Sequence, residues 1–181
     1  SIVNYAKTIE FLVEMGYWVF RMGKSVNSSV PVTHPNVVDY AISPDRSDLL
    51  DIWLLSRCSF CISTSTGLDS VADVFRKPIA FVNFLPLPWF QTWSHCVLAP
   101  ANLLWASTDR KLNCSEYLQH SSLRTEHYLE AGIRVEQLSS DEILAVVVEL
   151  EARLVNKWPQ NSVAEQRQQE FWDQFRTGLN R

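Results

Sequence analysis

Over residues 5–15 apolar side chains recur at Ile9, Leu12 and Val13 while Lys7, Glu10 and Glu14 take the remaining positions. This spacing predicts a helix, and Gly16 stands where such a helix stops. The period then changes. Residues 17–22 form a short aromatic and β-branched run closed by Gly23, and residues 37–42 form a second run with Asp39 inside it, so both read as strands. A loop rich in Ser, Asn, Val and Pro joins them over 24–35. Ser43-Pro44-Asp45 predicts the next helix, with Ser43 as cap, Pro44 in the first turn, Asp45 and Asp48 at the positive dipole end, and an extent to about Arg57. Residues 60–62 read as a strand that empties through four hydroxyl residues into an amphipathic helix over 67–76, which Pro78 stops. Residues 79–84 are apolar enough to be covered on both faces, as central parallel strands are.

From residue 85 to 124 no period persists, so loop with short helices is expected there, apart from a strand at 103–106. Order returns as a helix over 123–131, Gly132, a strand over 133–138, and a helix over 141–155 capped by Ser139 or Ser140. Trp158-Pro159 breaks the chain. A polar helix over 162–179 then carries Phe171, Trp172, Phe175 and Leu179 as one stripe. Strands alternate with helices, which predicts an α/β fold, a parallel sheet with helices on both faces, over 1–155 and a helical extension over 156–181.

Composition narrows the class. A chain of 181 residues corresponds to about one domain. With 46% apolar residues, 7 Trp, 5 Tyr and 9 Phe it has the means to bury a core, which excludes a disordered segment. A net charge of −4 argues against broad binding to nucleic acid or anionic lipid, so any phosphate site must be local. No apolar run reaches membrane-spanning length and no signal peptide is recognisable. The chain starts without Met and is expected to be a piece of a longer one. Four cysteines are too few for a disulfide framework and fit a reducing cytosol. Cys58-Ser-Phe-Cys61 straddles a helix end and a strand start, with Cys96 and Cys114 wrongly spaced for a zinc knuckle, so buried thiols are expected.

The segment Ser63-Thr64-Ser65-Thr66-Gly67, between a strand and a helix, has the make-up of an anion site: free amides at a helix start, a favourable dipole and hydroxyl donors. The alternative is that Ser65 or Thr66 merely caps the helix. It lacks the Gly-Lys-Ser/Thr of a Walker loop, the three glycines of a dinucleotide fingerprint and the flanking glycines of a nucleophile elbow. ATP hydrolysis, NAD chemistry and serine hydrolysis are thereby set aside.

Taken together, Tyr17-Trp-Val-Phe-Arg-Met-Gly23, His34-Pro35, Asp39-Tyr40-Ala41, Arg46-Ser-Asp-Leu-Leu-Asp51, Ser63-Thr-Ser-Thr-Gly-Leu-Asp69 and Phe75-Arg-Lys-Pro-Ile-Ala-Phe-Val-Asn83 resemble a group of bacterial glycosyltransferases found with surface-polysaccharide genes. More distantly, the Ser/Thr-Gly loop and the following Lys-Pro and apolar strand are similar to the carboxyl-terminal, donor-binding half of GT-B glycosyltransferases. The resemblance implies a Rossmann-like fold and a nucleotide-diphosphate sugar as substrate, with its diphosphate on Ser63, Thr64, Ser65, Thr66 and Gly67. It implies metal-independent transfer without a cofactor, in the cytoplasm or peripherally at the inner membrane. The acceptor and its base would come from a preceding amino-terminal domain or a partner chain.

Within that frame Arg21, just before Gly23, could pair with phosphate oxygens, with Lys24 assisting as a point charge. The alternative for each is an ordinary surface or ion-paired cation. Arg46, Asp48, Asp69 and Asn83 are candidates for nucleotide or sugar contacts, against the alternatives of helix-start acids and a strand-end turn. His34, held extended by Pro35, is the candidate general base. His95 lies in the aromatic loop Trp89-Phe-Gln-Thr-Trp-Ser-His95, a lid, a sugar platform or a packed loop. Asp109-Arg110-Lys111 is no metal-binding D-x-D. The aromatic stripe of the last helix would suit docking on a preceding domain, or packing on the chain's own sheet. A non-catalytic nucleotide or sugar-phosphate module and a protein-interaction domain are the other classes carried forward.

Overall fold

Three separate groups of hydrogen-bonded strands, rather than one continuous parallel sheet, organise the computed structural model, which describes residues 1–120, 122 and 124–179. β1 (Val19–Phe20) pairs parallel with β2 (Val37–Val38). β3 (Cys61–Ser63), β4 (Ile79–Phe84) and β5 (Cys96–Pro100) form a parallel sheet in that order. β6 (Asn102–Trp105) pairs antiparallel with β7 (Ile133–Glu136). The expected parallel sheet flanked by helices is present as β3, β4 and β5, and the step from β5 to β6 adds an antiparallel pair beside it. Pro100 has no N–H to extend the ladder with β4, and two residues later, at Asn102, the chain takes β7 as its partner.

β4 is the strand around which the core forms. Ala80 and Val82 point to one side, where they meet Leu12 and the Ile143, Val146, Val147, Leu150 face of a long helix. Ile79 and Phe81 point to the other, against Leu55 and Ala72. Alternation alone would send Phe84 to the first side, but it joins Ile79 and Phe81, because the pairing register shifts between Val82 and Phe84 and Asn83 has φ +57°. Phe84, Phe81 and Phe90 then meet edge to face at centroid distances of 5.4 to 5.7 Å.

The first helical layer is α1 (Ala6–Glu14), entered through a 3-10 turn at Ile2–Tyr5 and left at Gly16, whose φ of +86° suits glycine. The second layer consists of α2 (Asp48–Arg57) and α3 (Asp69–Val74). α2 begins later than predicted. Ser47, not Ser43, caps it by accepting from the Leu50 N–H, and the hydroxyl of buried Tyr40 takes the Ser47 N–H, holding that residue extended. α3 also starts late and has no side-chain cap; the expected caps Ser65 and Thr66 stay in the loop, where Ser65 turns the chain at φ +63°.

α4 (Cys114–Gln119) opens on an Asn113/Glu116 capping box within the stretch that showed no period. α5 (Thr125–Glu130) follows; the predicted first residue of that helix, Leu123, lies outside the described residues. α6 (Ser140–Leu154) starts on the Ser139/Glu142 capping box and supplies the long apolar face on β4. α7 (Ser162–Leu179) packs on α4 and on the 3-10 turn Leu87–Trp89 of this same chain. Phe175 is buried there, Phe171 and Trp172 are half-buried against it, and the side chain of Leu179 lies outside the described residues. Within this chain the partner of the stripe is α4 rather than the sheet, because Gly178 lets the helix close on Leu118. Among the described residues no helix is long and apolar enough to cross a membrane.

Candidate ligand cleft at the carboxyl edge of the parallel strands

β3 and β4 run parallel and side by side, so their carboxyl ends deliver the next residues to one edge, Thr64 from β3 and Asn83 from within the last turn of β4. There they line an open, shallow cleft of about 410 Å³ together with Ser1, Ile2, Asn4, Tyr5 and Gln137. Asn83 is fixed in place: its Oδ1 accepts the Leu138 N–H at 2.6 Å, while Asn4 donates its amide to the Leu138 carbonyl at 3.4 Å. Burial pushes the Tyr5 phenol up, and a hydrogen bond from Asn83 opposes this only in part, so the ring stays neutral at physiological pH.

The hydroxyl loop stands at the cleft's side. Ser63 is not open to a ligand, since its hydroxyl donates to Asp69 Oδ2 at 2.8 Å and accepts the Ser65 N–H at 3.2 Å. Asp69, only 8% exposed, is thus the loop's internal tie. Thr64, Ser65, Thr66 and Gly67 are exposed, and a Cβ at Gly67 would meet nothing within 4 Å. With α3 only six residues long, the donors of this loop are its hydroxyls and amides more than any helix dipole.

The other residues singled out in the sequence form a second group, at the carboxyl ends of β1 and β2 and the start of α2. Arg21, with its side chain 13% exposed, donates to both Asp39 oxygens at 3.2 and 3.3 Å and to the Ser28 carbonyl. Asp39 also accepts the Val30 N–H, so this pair holds the loop that leaves β1. Gly23 follows at φ +140°, a conformation that favours glycine. Lys24 pairs with Asp48 at 3.3 Å on the open surface. Arg46 pairs with buried Asp51 at 3.1 Å. Among the described residues no hydrogen bond or ion pair joins this group to the loop 63–67. His34 lies exposed just before β2, at the strand's amino end, and uses Nδ1 to accept the Asn36 N–H. That is the opposite edge from Gly23.

The aromatic loop is anchored rather than loose. Asp73 accepts from the Thr92 hydroxyl at 2.8 Å and the Trp93 N–H at 3.0 Å, and Arg76 lies 5.4 Å over the Trp93 ring. The cysteines are half-buried thiols: burial, with Cys58 and Asp69 nearby, pushes Cys61 up to about 12, and burial beside Asp73 pushes Cys96 up to about 11. Among the described residues no three or more His, Cys, Asp or Glu side chains are grouped to hold a metal ion.

Asn4, Tyr5 and Gln137 escaped the sequence reading because nothing in their local pattern distinguishes a helix approach or a strand exit that borders a cleft. Asp39 and Asn83 did carry a signal, a polar residue inside an apolar run. Comparison with protein-family models, with curated proteins and with solved structures finds no match to the chain.

Proposed function

We propose that the chain is the donor-binding unit of a metal-independent, GT-B-like glycosyltransferase that takes a nucleotide-diphosphate sugar, with surface polysaccharide as the class of product. The observation that carries this reading is the juxtaposition of an open hydroxyl loop, Thr64 to Gly67, with a cleft at the carboxyl edge of parallel strands, the edge where α/β sheets take ligands. The Thr64, Ser65 and Thr66 hydroxyls, with the Thr66 and Gly67 amides, are donors for a diphosphate, and the same donors would stabilise the charge that grows on the departing nucleoside diphosphate.

A second reading, a binding module without catalysis, draws support from two placements. Arg21 is committed to Asp39 and Ser28, and His34 stands at the far edge, so neither is offered to a ligand in the cleft. Under the enzyme reading, acceptor and base come from a preceding domain or a partner chain.

Calorimetry with UDP-, GDP-, ADP- and CMP-sugars tests both. Binding of at least one, weakened by the double variant Ser65→Ala/Thr66→Ala, is the expected result. No heat from any of the four at millimolar concentration removes the donor reading. Slow hydrolysis of a bound donor separates the enzyme from the module.

A further inference from the structure

Resting on the nucleotide-sugar reading above, we propose that the cleft bounded by Tyr5, Thr64, Asn83 and Gln137 takes the uncharged, hydroxyl-rich part of the ligand, a group of hexose size, while its phosphates stay outside on residues 65–67. The volume of about 410 Å³ lies in the range of small-molecule sites. Every side chain that lines it is uncharged. A diphosphate entering such a space would give up hydration without a cation to replace it, whereas sugar hydroxyls would exchange water for amide and hydroxyl partners at little cost.

The polar groups are also set in direction. Because Asn83 spends Oδ1 on the Leu138 N–H, its Nδ2 is the end turned to Tyr5; because Asn4 spends Nδ2 on the Leu138 carbonyl, its Oδ1 remains an acceptor without a partner among the described residues. Gln137 brings a side-chain amide that can donate and accept, and the Thr64 hydroxyl serves as either. Amides locked by backbone bonds present donors and acceptors at fixed points, which is what discrimination among similar polyols requires. Thr64 belongs both to the loop and to the cleft, so one ligand can span them.

The test compares UDP, GDP and ADP with their hexose conjugates, and with methyl hexosides, by calorimetry and saturation-transfer NMR on the full chain. Expected is a hexose conjugate that binds more tightly than its bare diphosphate. Gln137→Leu, an exposed position, should weaken the conjugate roughly three- to tenfold and leave the bare diphosphate unchanged. Thr64→Trp, which fills the cleft, should remove the advantage of the hexose. Equal affinity for conjugate and bare diphosphate, insensitive to Gln137→Leu, overturns the inference and leaves the donor reading standing. A loss of bare-diphosphate binding in Gln137→Leu also overturns it, by placing phosphate in the cleft. Binding of a methyl hexoside that is lost in Thr64→Trp, with no nucleotide bound at all, supports the cleft and refutes the donor reading. No binding of any probe overturns both.

Discussion

Replacing Asn83 by Ala and by Gly separates two roles that one residue plays at the cleft. Its side chain satisfies the N–H of buried Leu138, and its backbone sits at φ +57° in the bulge that turns Phe84 to the other face of β4. Leaving a buried N–H unpaired costs about 1–3 kcal/mol. Holding Ala in the left-handed region costs about 1–2 kcal/mol more, which Asn tolerates better. Asn83→Ala is therefore expected to lose about 2–5 kcal/mol, a sizeable part of the about 5–15 kcal/mol that holds a domain together. Asn83→Gly loses the same hydrogen bond without the backbone cost, but its unfolded chain gains about 0.4–1 kcal/mol of entropy. Gly should thus be the milder change by up to about 1.6 kcal/mol. Urea unfolding reads this directly: with a slope of about 2 kcal/mol per molar, the Asn83→Ala midpoint falls by about 1–2.5 M and that of Asn83→Gly by less. A Gly variant less stable than the Ala variant refutes the strain argument, and an Ala midpoint within about 0.3 M of the parent refutes the Leu138 tie.

Arg21→Ala is expected to lower stability by about 1–3 kcal/mol by leaving Asp39 without its guanidinium partner in a largely covered position, with donor affinity changed little; a large loss of affinity at unchanged stability would return Arg21 to the ligand site. Gly178→Val puts its Cβ where 2.7 Å would separate it from Leu118 Cδ1 and 3.2 Å from Leu118 Cβ, so α7 should lift off α4 and be cleaved faster in limited proteolysis; an unchanged cleavage rate contradicts that packing. Burial pushes the Asp73 carboxyl up, but hydrogen bonds from Thr92, Ser94 and the Trp93 and Ser94 amides outweigh it and hold it below its ordinary value of 3.8. Because the folded value is the lower one, the anchoring of the aromatic loop is complete above the unfolded value and is lost as pH falls through the folded one. The Trp93 NMR signals should shift only on acidification below about pH 4, and Asp73→Asn should abolish that step; signals flat to about pH 2 in the parent contradict it.

What could be seen in the sequence was local. The Ile9/Leu12 spacing, the Ser139/Glu142 box and the apolar run of β4 each act within a few residues of themselves, and the helices and strand they imply are present. Residues 96–100 gave no such sign, because β5 is stabilised by lying beside β4 and not by any period of its own. The start of α2 was misplaced for a related reason: Ser43-Pro44-Asp45 is a sound local opening, and a tertiary bond from Ser47 to Tyr40 moves the helix start to Asp48. Polar residues inside apolar runs, Asp39 and Asn83, could be flagged from the sequence, but not what each would bind.

The sequence by itself determined an alternation of helices and strands with a central buried strand and a hydroxyl loop after β3, since backbone preference and hydrophobic period are properties of neighbours in the chain. Only the tertiary structure decided which charges are free. It tied Arg21 to Asp39, Ser63 to Asp69 and Asn83 to Leu138, and it brought Asn4, Tyr5 and Gln137 to Thr64 to make a cleft. Hydrogen bonds and ion pairs between residues 6 to 55 positions apart depend on how the elements pack, and no short-range pattern records that.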